Sequence, residues 1–164
     1  MTTIINFFGA PNSGKSVKAA QCFIGMKTNG KSCELVTEYV KEWAWENRPI
    51  TTYDQLFIVV NQMKRETILF NKVDYIITDS PVLLGVFYDE YYNNHQLARW
   101  SILEYIKLRE KQGIKSINYW LDYEGFENND GRYHKKEDSI DINIKMKKWL
   151  EDLNIQFSNL KEDK

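Results

Sequence analysis

Residues 9–16 read G-A-P-N-S-G-K-S and come directly after Ile4, Ile5, Asn6, Phe7 and Phe8, a short apolar run of the kind that forms a buried strand. Gly9 and Gly14 bracket the loop, and Lys15 and Ser16 open a helical pattern behind it. A strand that turns sharply into a helix through such a loop aims successive backbone N–H groups at one point, and the positive end of the helix faces the same point. A polyphosphate is the ligand this arrangement suits. Gly9, Ala10, Pro11, Asn12, Ser13, Gly14, Lys15 and Ser16 are therefore expected to hold ATP, with Lys15 reaching the β- and γ-phosphates and Ser16 on Mg²⁺. A Cβ at Gly9 or Gly14 would obstruct the turn or the approach of backbone to phosphate.

The chain of 164 residues suits a single domain, 1–164, with a core that needs no disulfide or metal clip. Hydrophobic residues make up 43% and prolines number three, which excludes a disordered chain. A formal net charge of -1 gives no global attraction to nucleic acid, although Lys and Arg concentrate in the C-terminal half among interleaved acids. Cys22 and Cys33 make neither a CxxC pair nor a metal spacing, as expected of reduced thiols in a cytoplasmic protein. Neither a signal-type segment nor a run long enough to span a membrane is visible, so a cytoplasmic location without membrane contact is expected.

Beyond the loop, residues 15–28 carry Val17, Ala20, Phe23 and Ile24 at helical spacing, and Asn29-Gly30 closes that pattern. Further strands are expected at residues 34–37, 73–78, 114–121 and 155–157, and helices at 53–70, 96–111 and 142–153. Strands alternating with helices predict an α/β protein of the P-loop NTPase fold: a five-stranded parallel sheet with helices on both faces and a small lid. Ligands of such sheets bind beyond the carboxyl ends of the strands, so the residues there carry the most information.

Asp79, in T-D-S-P, ends an apolar strand where a Mg²⁺-orienting carboxylate belongs, although Asp, Ser and Pro also suit a plain helix start. Glu38, in T-E-Y-V-K-E-W, ends the strand before it and can accept the proton of an acceptor hydroxyl, or serve only as a solvated loop glutamate. Glu42 is an alternative base. Tyr39, Trp43 and Trp45 offer either a wall for a planar substrate or core packing. On the helix at 53–70, Gln55, Gln62 and Glu66 form one stripe beside Val59, open to a substrate edge or to an internal hydrogen-bond network. Residues 122–138 are polar and rich in Asn, Gly and Asp; they read as a lid whose Arg132 closes over the phosphates, or as a basic surface loop. His95 and His134 lack ligand-like neighbours.

Together, G-A-P-N-S-G-K-S, T-E-Y-V-K-E-W, D-Q-L-F-I-V-V-N-Q, I-I-T-D-S-P and D-G-R resemble small P-loop kinases of the nucleoside and nucleotide kinase group. The resemblance extends to the AAA_28 and nicotinamide-riboside-kinase-like proteins of tailed phages. The segment E-Y-V-K-E-W is similar to the E-P-V-x-x-W of deoxyribonucleoside kinases, whose Glu is the catalytic base, with Tyr39 in place of their Pro. Asp79-Ser80 stands where those kinases carry Glu-Arg-Ser. Phage members of the group include kinases of hydroxymethyluracil in DNA, and this chain resembles them in size and motif order.

The resemblance implies an ATP- and Mg²⁺-dependent kinase acting on a nucleoside-like hydroxyl, either in a small molecule or on a modified base in DNA. Its catalytic residues would be Lys15, Glu38, Asp79 and Arg132, its metal residues Ser16 and Asp79, and its acceptor contacts Glu38, Gln55 and Gln62. If the gene is phage-borne, the host cytoplasm is the expected location. A nucleotide-driven ATPase or switch without an acceptor is the alternative, and a non-catalytic ATP-binding module a third reading. Oligomeric state is open.

Overall fold

A computed structural model describes residues 1–94, 96–123 and 136–160. Chain order is β1 (Thr3–Phe8), α1 (Lys15–Thr28), β2 (Cys33–Val36), α2 (Lys41–Trp45), α3 (Asp54–Thr67) and β3 (Tyr75–Thr78). It continues with α4 (Val82–Asn93), α5 (Leu97–Lys111), β4 (Lys115–Trp120), α6 (Lys136–Asp152) and β5 (Ser158–Asn159). The strands form one parallel sheet in the order β2-β3-β1-β4-β5.

β1 is mostly apolar because it is central and covered on both faces. Ile5 and Phe7 point to one side, where Ala19, Cys22, Phe23 and Met26 of α1 meet them. Phe8 packs with Val59 of α3, Val82, Leu84 and Phe87 of α4, Ile102 of α5 and Met146 of α6, whereas Ile4 packs with Val36, Ile76 and Ile114 and with Leu69, Phe70 and Val73. Asn6, the polar exception, is buried and donates from Nδ2 to Asn118 Oδ1 at 2.8 Å across the β1–β4 register.

Several expectations need correction. The apolar face assigned to α1 is rotated: Val17 and Ile24 are exposed, and Ala19 is the buried contact. α2 and α4 lacked a distinct pattern. β5 pairs at Ser158–Asn159 rather than at 155–157, because it is an edge strand whose position follows pairing with Tyr119 and Trp120 rather than its own apolarity. α6 begins at Lys136, so the expected lid at 122–138 ends in helix, and Arg132 and His134 lie outside the described residues, as does His95.

Candidate active site

The register of the sheet brings three sequence-distant segments to one end. Asn6 pairs with Thr78 and Val36 with Thr78, so Asp79 and Thr37 lie one step past the strand ends, beside the loop that leaves β1, and Glu38 one step further. The loop itself uses left-handed backbone at Asn12 (φ 65°) and Gly14 (φ 81°), the latter as N-cap of α1. A Cβ on Gly9 would collide with Ser13 Oγ and lie 2.6 Å from the Leu121 carbonyl oxygen, so only glycine fits where the loop crosses the end of β4. Lys15 Nζ donates to the carbonyls of Gly9 (2.9 Å) and Ala10 (2.7 Å).

A cleft of about 500 Å³ opens over these strand ends, lined by Pro11, Asn12, Ser13, Gly14, Lys15 and Ser16 together with Glu38, Gln55 and Asp79. Gly9 and Ala10 are buried behind it. Beyond the loop the lining includes an apolar and aromatic group, Val40 and Ile50, Ile58 of α3, and Leu84, Tyr88, Tyr91 and Tyr92 of α4, together with the polar side chains of Lys41, Thr51, Asn93 and Asp138. Burial first, and the Glu38 charge second, hold the Tyr88 phenol well above its ordinary pKa of 10, so it stays protonated beside that carboxylate. Tyr91 donates to Asp141 of α6 at 2.6 Å, which pushes it up to about 12, and Asp141 also pairs with Lys145.

The tyrosines escaped the sequence reading, although their i, i+3, i+4 spacing at 88, 91 and 92 was a usable signal. The expected wall of Tyr39, Trp43 and Trp45 is not part of the cleft. Tyr39 and Trp43 instead pack with Phe57 at ring separations of 6.0 to 6.2 Å, under the guanidinium groups of Arg48 and Arg65. Glu42 faces away and pairs with Arg65 at 3.1 Å. Gln62 also stands apart from the large cleft: Oε1 accepts from Tyr39 N at 2.9 Å, and Nε2 donates to Thr37 O at 3.4 Å.

No family model matches the chain, and no curated protein matches it. Among solved structures, the Mycobacterium tuberculosis APS kinase is similar with a TM-score of 0.49 and 16% identity, over 94% of this chain and 99% of that one. Deoxyadenosine kinase from M. mycoides, solved with bound dATP, is similar with a TM-score of 0.51 and 12% identity, over 96% of this chain and 90% of that one. The parallel 2-3-1-4-5 sheet, with the glycine-bracketed loop leaving its central strand, agrees with that likeness. The chain has the P-loop NTPase fold.

In a P-loop NTPase fold, a divalent ion is held by the loop hydroxyl, a strand-end carboxylate and phosphate oxygens. The residues here fit that use. Asp79 is 7% exposed, and its buried Oδ1 has no hydrogen-bond partner among the described residues, a costly condition for a carboxylate unless a cation or its water meets it. Ser16 lines the same cleft. No cluster of three His, Cys, Asp or Glu side chains forms a separate metal cage among the described residues.

Proposed function

We propose that the protein is an ATP-dependent phosphotransferase that moves the γ-phosphate to the hydroxyl of a nucleoside-like acceptor. One observation carries this reading: a single cleft holds the P-loop, Glu38 and an Asp79 oxygen without a hydrogen-bond partner among the described residues, and its lining includes an apolar and aromatic group. A hydrolase needs only water at the γ-phosphate, whereas this group is suited to the flat face of a ring-bearing alcohol.

Loop amides and the Lys15 ammonium hold the phosphates and offset the charge on the transferring group. Ser16 and Asp79 would hold Mg²⁺, which would supply positive charge to offset that of the phosphates. Glu38 takes the proton from the acceptor hydroxyl as its oxygen bonds to phosphorus. Gln55 donates from Nε2 to Gly85 O at 3.1 Å, which fixes its amide on the acceptor side of the cleft. Arg132 is assigned to a lid over the phosphates on its sequence context alone. The family resemblance favours a nucleoside, a nucleotide or a modified base in DNA as acceptor.

The test is incubation with γ-labelled ATP and, separately, nucleosides, nucleotides, nicotinamide riboside and DNA containing hydroxymethyluracil. Label on one of these acceptors is expected. Free phosphate alone, released at a rate no acceptor changes, would replace the kinase with the hydrolase or switch.

A further inference from the structure

Glu38 sits in a loop, yet a general base must be held to within a fraction of an ångström of the proton it removes. Its immediate neighbours show how that is achieved. Gln62, on α3 and 4% exposed, bonds the residues on both sides of Glu38: its Oε1 accepts from Tyr39 N–H at 2.9 Å and its Nε2 donates to Thr37 C=O at 3.4 Å. The amide orientation is fixed by these partners, since only the oxygen can accept and only the nitrogen can donate. Arg65, one helical turn along, adds a bond from Nη1 to Thr37 O at 3.3 Å. Behind the loop, Gln62 and Glu38 line a common small recess with Tyr88. This glutamine spans a carboxylate that lines the same cleft as the phosphate loop.

We infer that Gln62 is a positioning residue that sets the Glu38 carboxylate for transfer by clamping the backbone on either side of it, and that it makes no contact with the acceptor. The inference rests on the assignment of Glu38 as the base. Removing the clamp leaves the P-loop untouched, so nucleotide binding stays and the chemical step suffers.

Gln62→Met keeps the side-chain volume and removes both bonds. Its kcat with the acceptor should fall about 10²-fold, in the range of a base displaced by about 1 Å, while the acceptor KM and the affinity for ATP stay within about twofold. The Tyr39 amide should exchange with solvent deuterium faster than in the wild type, a readout that needs no acceptor. If Gln62→Met does not fold, Gln62→Glu replaces it: the carboxylate still accepts from Tyr39 N–H but cannot donate to Thr37 O, and kcat should fall about tenfold. A rise in acceptor KM at unchanged kcat would overturn the inference and return Gln62 to acceptor binding. Wild-type kcat, or unchanged Tyr39 exchange, would overturn it too. Wild-type speed in Glu38→Gln is the separate result that removes the base assignment itself.

Discussion

Lys15 and Glu38 both line the cleft, and their substitutions should separate the proposed donor chemistry from the proposed acceptor chemistry. Lys15 bonds the carbonyls of Gly9 and Ala10, so Lys15→Ala removes the cation proposed for the phosphates and also loosens the loop. It should weaken ATP binding and lower transfer by about 10²–10³-fold or more, measured by nucleotide titration and initial rates. Glu38→Gln leaves the loop intact; ATP affinity should hold while kcat falls by about 10²–10⁴-fold. The positions of these residues were legible because each belongs to a local pattern, a glycine-bracketed loop or a carboxylate one or two residues past an apolar strand. Gln62 was legible only as a polar residue in an apolar stripe. Its partners, Thr37 and Tyr39, come from another segment, and periodicity within α3 carries no information about them.

At the level of elements, α4 supplies the aromatic lining and was the largest omission from the sequence reading. Its first turns, V-L-L-G-V-F, are buried almost continuously at Val82, Leu83, Leu84, Val86 and Phe87, so no polar face marked a helical period. Gly85 explains how close α4 comes to α3: a Cβ there would overlap Val59 Cγ2, and Val59 is 1% exposed with no room to yield. Gly85→Ala should gain about 1 kcal/mol of helix propensity and lose about 1–3 kcal/mol to overpacking. A net loss of stability is expected in urea denaturation. The second change Val59→Ala opens the missing space, so Gly85→Ala should be less damaging on that background than alone. Equal cost on both backgrounds would mean that the Gly85–Val59 contact is not the constraint.

Across the whole molecule, the cleft occupies the carboxyl end of the sheet, and a buried ion pair lies toward the other end. Glu66 Oε2 accepts from Arg109 Nη1 at 3.2 Å and from Tyr105 OH at 3.3 Å, and Arg109 also donates to Ser116 near the start of β4. Glu66 is fully buried, and among the described residues its other oxygen, Oε1, has no hydrogen-bond partner, nor has Arg109 Nε. The lost hydration outweighs the pull of Arg109, and the Glu66 carboxyl is pushed up to about 7 from 4.5. Between those two values the folded chain binds a proton that the unfolded chain has released, so stability declines as pH rises across that window. At about 1.4 kcal/mol per pKa unit the decline from this group is about 3 kcal/mol, complete slightly above pH 7. Glutamine mimics the protonated carboxyl, so Glu66→Gln should match the wild type near pH 4.5 and exceed its stability at pH 8. Comparing the two proteins also cancels the groups they share. Asp54, Asp122 and Asp141, all held below the ordinary carboxylate value, contribute stability that is lost only at lower pH. Urea midpoints at both pH values decide the point. A wild type that is more stable than Glu66→Gln at pH 8 would mean that the attraction of Arg109 exceeds the desolvation of Glu66 after all.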